Sequence, residues 1–374
     1  MSVVLLILGL ILFVGLVVIH EFGHFMAARR NGVEVEEFGI GFPPKLKTLT
    51  KKNGTIYTLN LLPLGGFVRL KGEHDSDTAK GSFGAASLLT KIKIMLAGVG
   101  MNLLVAFIVL MISALVGLPK LIDNQFTIAS DTKTVRQDVI VTYVEPGSPA
   151  EKSGLKPRDV LVSLGKPNSL QVIDNSQTLP QITKQLAGEN IQITYRRDGQ
   201  VKTSDITLRT NSEVDASKKT NNEKGYLGIS PTEYILRRST WSAPLVAVGL
   251  IKQFTILTLK GIASAIAGLA QGNTAKASSQ VSGPVGIFVI FREGSHLGIE
   301  FILLLVGLIS LTLAIMNVLP IPALDGGRLF ITLIFRLLRR PLKDNVEDII
   351  HGSGFVLLML LFVLITIVDI HRFF

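Results

Sequence analysis

The chain opens on an uncharged apolar run, Val3 to Ile19, which continues with few polar breaks to about residue 26. Three more runs match it: about 94–117, 298–318 and 353–370. A helix needs about 20 apolar residues to cross the hydrocarbon of a bilayer, and each run supplies that length. A fifth stretch, Pro244 to Ala270, is apolar but carries Lys252, Gln253 and Lys260 among many small residues. It is read as an amphipathic helix lying in the membrane interface. The pattern thus predicts a polytopic α-helical membrane protein with about four transmembrane helices.

The stretches between these runs have a shorter period. Val33-Glu34-Val35-Glu36 alternates, and Thr55-Ile56-Tyr57-Thr58-Leu59-Asn60-Leu61 is rich in strand formers. Gly41-Phe42-Pro43-Pro44 and Lys52-Asn53-Gly54 supply turns. A small β-rich structure is expected between the first two helices. It is either a folded connector or a strand edge able to pair with an extended peptide. The long insert reads as an α+β domain. Val139–Val144, Asp159–Leu164, Ile191–Arg196 and Ser204–Leu208 are expected strands, with a short helix ending near Gly154. Thr210 to Lys224 is expected to be a loop. Three regions follow: residues 1–118, the insert 119–240, and residues 241–374.

Charge orients these pieces. Lys and Arg gather in 27–93, including Arg29, Arg30, Lys91 and Lys93 at helix ends, and again at Arg328, Arg336, Arg339, Arg340 and Lys343. The positive-inside rule places both loops in the cytoplasm and, with four spans, both termini outside. The insert then lies outside too.

Composition narrows the class. Hydrophobic residues make up 48% of 374, and the mean hydropathy is +0.46, so the lipid bilayer is the expected surrounding. The net charge of +10 is explained by helix-flanking bases. No basic, aromatic-rich motif points to nucleic acid. With no cysteine, disulfides, thiol nucleophiles and Cys–zinc sites are excluded. The first run lacks a basic leader and a clean small-residue cleavage site, so it is read as a retained helix rather than a signal peptide.

The candidate chemistry sits where that first run ends. His20-Glu21-Phe22-Gly23-His24 has the form His-Glu-x-x-His. Two imidazoles four residues apart share a helix face and suit zinc, and the adjacent Glu21 suits a general base. The bland alternative is a chance cluster of polar residues capping a helix. Placement argues against it, since ionisable groups within a membrane are expensive and usually functional. A catalytic zinc site takes three protein ligands. The best third candidate is Asp325, in Asn317-Val318-Leu319-Pro320-Ile321-Pro322-Ala323-Leu324-Asp325-Gly326-Gly327, where prolines break the third long helix and glycines allow close backbone approach. His74, His296, His351 and His371 lack ligand spacing and are read as surface or interfacial.

Together these motifs resemble the site-2 protease family of intramembrane zinc metalloproteases. Phe38-Gly39-Ile40-Gly41-Phe42-Pro43-Pro44, Leu62-Pro63-Leu64-Gly65-Gly66-Phe67 and Ser282-Gly283-Pro284-Val285-Gly286-Ile287 look like its landmarks. The insert's Gly147-Ser148-Pro149-Ala150 and Ser153-Gly154-Leu155-Lys156-Pro157-Arg158-Asp159-Val160-Leu161 look like a PDZ domain, which narrows the resemblance to the bacterial regulator-of-sigma-E protease group. The resemblance implies Zn2+ held by His20, His24 and Asp325, with Glu21 catalytic. Asn317 matches an asparagine implicated in holding substrate backbone. Asn102, Gly65 and Gly66 are further substrate-binding candidates. Ala97-Gly98-Val99-Gly100-Met101-Asn102 lacks the proline usual in the family's second helix, and the insert has room for one PDZ-like copy where many relatives have two. The substrates implied are single-pass membrane proteins, such as anti-sigma factors already trimmed outside, and remnant signal peptides. The PDZ-like insert is either a binder of carboxyl termini, through Gly225-Tyr226-Leu227-Gly228-Ile229, or a steric filter. The expected oligomeric state is a monomer. The competing function is a non-catalytic receptor built around the PDZ-like domain, which would not need the His-Glu-x-x-His motif.

Overall fold

A computed structural model describes residues 2–218, 223–273, 278, 281–340 and 342–374. It divides into two units. The first comprises Met1–Val116, Gln125–Ile128 and Thr240–Phe374; the second comprises Gly117–Asn124 and Ala129–Ser239.

The first unit begins with helix α1 (Ser2–Arg30). Nothing in its long apolar run interrupts the backbone ladder, and the helix stops where Gly32 takes φ +79°. Val33 N–H returns to the Ala28 carbonyl at 3.0 Å, a glycine-dependent closure of a helix end. Strands β1 (Val35–Lys52) and β2 (Thr55–Leu70) follow. The expected β-rich structure is present, but it is more than a simple hairpin. Phe38 pairs with both Tyr57 and Val68, and Gly39 with both Thr58 and Phe67. The first half of β1 therefore has β2 on both sides. Residues 66–70 form an outer edge, paired on one side only among the described residues.

Helix α2 (Leu88–Val116) crosses α1 at paired glycines. A side chain at Gly23 would sit 2.6 Å from the Ala97 carbonyl oxygen, and one at Gly98 would sit 2.6 Å from the His20 ring. The two backbones can meet this closely only without those side chains.

The second unit is an antiparallel sheet with small helices. In chain order its elements are β3 (Leu118–Pro119), β4 (Lys133–Val144), α3 (Pro149–Lys152), β5 (Val160–Lys166), β6 (Ser169–Val172), α4 (Thr178–Gln185), β7 (Asn190–Arg197), β8 (Gln200–Thr207), α5 (Asn211–Lys218) and β9 (Ile229–Arg238). The sheet order is β3-β9-β4-β5-β7-β8, with β6 beside β5. Val139, Val141, Leu161, Leu164, Ile191 and Ile193 alternate inward to form its core. The loop expected at 210–224 is partly helix. Thr210 and Glu213 exchange hydrogen bonds between side chain and backbone, a capping box that starts α5. Residues 219–222 of that stretch lie outside the described residues.

The first unit resumes with α6 (Ala243–Ala270), α7 (Pro284–Gly294), α8 (Ile299–Val318), α9 (Asp325–Leu337) and α10 (Asp344–Phe373). Among the described residues five helices, α1, α2, α6, α8 and α10, are long and apolar enough to cross a membrane by length and composition. The expectation was about four, with 244–270 in the interface. The extra candidate arises because Lys252 and Lys260 are too sparse to break a 28-residue apolar helix.

Contacts fix the directions of the others. Gly9 of α1 lies against Ile302, and His20 meets Asn317, so α8 runs parallel to α1. Leu110 packs on Gly307 and the Asn102 carbonyl accepts from Ser310 Oγ, so α2 runs against them. The start of α10 adjoins His74 and Ala323. Near its other end the buried Asp369 accepts hydrogen bonds at 2.8 Å from the backbone N–H groups of Gly283 and Gly286, capping α7.

Candidate metal centre

His20 and His24 lie on the last turns of α1, one turn apart, and their rings face α2. His24 Nδ1 is 2.8 Å from the Ile94 carbonyl oxygen. That carbonyl can only accept, so Nδ1 carries the proton and Nε2 presents a lone pair. His20 Nδ1 is 3.2 Å from the side-chain amide of Asn102. The amide nitrogen is the nearer end, and Asn102 Oδ1 is buried without a partner. Turning the amide over exchanges its oxygen and nitrogen, and His20 Nδ1–H then donates to Oδ1. The same turn frees His20 Nε2.

Asp325 reaches the same point from the other end of the chain. After α8 the backbone breaks at Pro320 and Pro322, and Ala323 takes φ +73°. Helix α9 then starts at Asp325. Side chains at Gly326 or Gly327 would collide with the Val318 and Ile321 carbonyls, so the helix starts tight against the segment that precedes it. Asp325 Oδ2 lies 3.1 Å from His20 Nε2 and 3.3 Å from His24 Nε2, and the two Nε2 atoms are 3.1 Å apart.

These distances test the fit of a metal. Zinc bonds of about 2.0–2.1 Å in a tetrahedron set ligand atoms ~3.3 Å apart, close to all three values. Asp325 Oδ2 is buried with no hydrogen-bond partner. Two imidazole lone pairs and a carboxylate oxygen converge with no donor among them, which is costly unless a cation joins them. It is the one group of His, Asp or Glu side chains among the described residues that could hold a metal ion. The donor set, two nitrogens and one oxygen, suits zinc with an open fourth position.

The other sequence candidates fall around this centre. Glu21, His24 and Asp325 line a cavity of about 120 Å3 with Glu73, Phe83 and Arg328. A side chain at Gly66 would stand 3.5 Å from Glu21 Cγ, so the outer strand of β2 passes over that carboxylate. Gly65 sits against Phe42 and Val17. Asn317 Nδ2 is 3.4 Å from His20 Nε2, on the open side. Asn102, a substrate-binding candidate in the sequence, is 1% exposed, with its side-chain amide 3.2 Å from His20 Nδ1.

The chain's similarities agree with this chemistry. Residues 8–361 match the model of peptidase family M50. The chain belongs to that family, the site-2 proteases. A Clostridium acetobutylicum protein is 33% identical over 375 residues, covering 99% of this chain and 98% of its own. One from Clostridium perfringens is 30% identical, covering 98% of each chain. One from Campylobacter jejuni is 30% identical, covering 96% and 90%. Each bears the name "putative zinc metalloprotease". This M50 peptidase is a membrane zinc metalloprotease.

Sequence reading missed several neighbours of the site. Arg328, one helical turn after Asp325, stacks 4.7 Å from the Phe83 ring and donates to the Glu73 carbonyl. His74 and His351 are surface or interfacial, as expected, yet both have specific partners. His74 is 2.9 Å from Asp348, and His351 Nδ1 is 3.3 Å from the Ala323 N–H. Only the i+3 spacing of Arg328 from Asp325 was a visible signal.

Proposed function

We propose that this M50 peptidase cuts single-pass membrane proteins within or near the bilayer of a bacterial cytoplasmic membrane, with His20, His24 and Asp325 as zinc ligands. The observation that carries the reading is the convergence of three lone-pair atoms within 3.1–3.3 Å at the end of a membrane helix. Zinc, when bound there, supplies Lewis-acid polarisation of the scissile carbonyl and activation of a water. Glu21 accepts the proton of the attacking water and delivers it to the leaving nitrogen. Asn317 donates from Nδ2 to the carbonyl oxygen as negative charge grows on it. A helical substrate hides its peptide bonds, so it must unwind. The open edge at residues 66–70, beside Gly65 and Gly66, offers main-chain partners to the unwound strand. Water reaches the site through a cavity of about 610 Å3 lined by Asp325, Arg328, Glu73 and His351.

The basic loops face the cytoplasm in this reading, and the insert faces the other side. Helix α8 runs parallel to α1, so the chain leaves α2 and enters α8 on one side. Gly283 lies near the far end of α10, on that same side. Residues 271–282 are too few for a spanning helix. Helix α6 therefore lies in the interface and the number of crossings is even.

The insert acts as a PDZ-like module. The carbonyls of Gly225 and Tyr226 accept from Arg209, that of Leu227 from Ala150, and that of Gly228 from Glu145. Strand β9 follows this turn, and β3 covers its outer edge only near Leu236 and Arg237. An open edge after a fixed glycine turn favours peptide binding over a bare steric filter.

The deciding experiment compares wild type with Glu21→Gln. The variant should keep about one zinc per chain and lose cleavage of a model transmembrane substrate; unchanged cleavage would remove Glu21 from the reaction.

A further inference from the structure

Asp325 follows a segment held within itself by two short-range bonds. Ile321 N–H donates to the Leu319 carbonyl at 2.7 Å and Leu324 N–H to the Ile321 carbonyl at 3.1 Å, with the strained residue Ala323 inside the second turn. Ala323, two residues earlier, sits at φ +73°, a conformation L side chains rarely adopt. Such a conformation persists only where the surroundings over-determine it. The prolines at 320 and 322 also remove two backbone donors that could tie the segment to itself.

Further support comes from α10. Ala323 N–H lies 3.3 Å from His351 Nδ1. A backbone N–H can only donate, so Nδ1 accepts and the ring's proton sits on Nε2. Three residues on, Gly354 touches Pro322; a side chain there would lie 2.8 Å from the Pro322 carbonyl carbon. One helix face thus holds Ala323 by a hydrogen bond and Pro322 by close packing. That face is itself fixed. Asp348 meets His74 at 2.9 Å, Glu347 accepts from Asp75 N–H at 3.0 Å, and Asp344 bonds Ser76. The 73–76 loop therefore clips the first turns of α10, and α10 clips the segment that aims Asp325.

We propose that His351 is a positioning residue for Asp325: its Nδ1 holds the left-handed turn at Ala323 and so directs the Asp325 carboxylate at His20 and His24. This rests on the reading of those three side chains as the metal ligands. The acceptor, not the ring, is what matters. Asn places Oδ1 near the position of Nδ1, whereas Phe keeps the ring and removes the acceptor.

The test uses the full chain in detergent as wild type, His351→Asn and His351→Phe, loaded with Zn2+ or Co2+. Three quantities are read: zinc affinity against a competing chelator, the visible absorption of the Co2+ form, and kcat and KM separately. His351→Phe should weaken zinc by ~10–100-fold, as loss of outer-shell support does. It should also shift the Co2+ band and lower kcat with little change in KM. His351→Asn should stay near wild type in all three. Wild-type zinc affinity and Co2+ spectrum in His351→Phe would overturn the proposal, as would equal damage in His351→Asn. Should His351→Phe not fold, His351→Ala removes the same acceptor without adding bulk. It should shift the Co2+ band, and an unmoved band with wild-type zinc affinity overturns the proposal. Failure of the wild type to bind Zn2+ or Co2+ would instead sink the metal-centre reading itself.

Discussion

The two units solve opposite problems with the same residues. In the insert, Val139, Leu161, Leu164 and Ile193 are buried while Lys and Glu coat the outside, the arrangement that water favours. In the helical unit, Phe355, Val356, Leu357, Leu360 and Phe362 of α10 face outward, whereas His20, Asn102, Lys91, Ser310 and Asp369 are buried. Apolar burial holds the first together. Lipid offers α10's surface no such incentive, so the second relies on close backbone contact at Gly23 and Gly98 and on buried polar contacts such as Ser310 Oγ to the Asn102 carbonyl. Polar groups fasten single points in the insert, as Arg197 does the buried Asp159, and carry more of the framework in the helical unit.

That contrast can be broken by experiment. The largest expected effect is at the metal. Structural zinc binding is worth roughly 10–16 kcal/mol in total, so removing one of three ligands costs about a third of that. Asp325→Asn should weaken zinc on the order of 10³-fold by chelator competition; full occupancy in that variant would take Asp325 out of the ligand set. Next, Leu161→Ala should cost the insert about 3 kcal/mol, read by hydrogen exchange of β5 and β7. Zinc affinity should not move, and a fall in it would show that the two units are not independent. Third, Asn102→Leu keeps the volume and deletes the partner of His20. Zinc should weaken by ~10–100-fold, whereas a Leu in the insert's core would be harmless. An unchanged affinity would remove Asn102 from the support of His20.

The smallest effect is a pH dependence. The hydrogen bond to Asp348 raises the His74 pKa above its ordinary value. The pair's stabilisation is thus complete below the ordinary histidine pKa and is lost as pH rises through the raised one. Both partners are exposed, so the gain is about 0.3 kcal/mol or less. Protection of the 73–76 amides, taken relative to their intrinsic base-catalysed exchange at each pH, should be greater at acidic than at alkaline pH, and His74→Asn should flatten the difference. A profile that survives the substitution would assign it to another group.

Local signals were legible in the sequence, and distant ones were not. The apolar runs announced α1, α2, α8 and α10, because nothing else in a chain needs 20 uncharged residues. His20, Glu21 and His24 were visible for the same reason: their relation is set by one helix turn. Asp325 could be found because Pro320, Pro322 and Gly326 mark a broken helix end. The capping box Thr210–Glu213 was equally local and was missed; polarity was allowed to outweigh the cap. The doubling of β2 around β1 left no trace in periodicity, since register across Gly39 is decided by the fold. His351 lies 28 residues from the carbonyl-rich segment it holds, and Asp369 lies 86 from Gly283. Neither spacing corresponds to any helical or strand period. Helix α6 was ambiguous because two lysines in 28 residues fit either a span or an interface.

The distance between the ligands along the chain has a consequence for the life of the molecule. His20 and His24 enter the membrane first, and Asp325 about 300 residues later. Until then a nascent chain carries two imidazoles and no carboxylate to join them. On the proposed reading, a chain whose ligands lie about 300 residues apart completes its metal site only after its later helices are made.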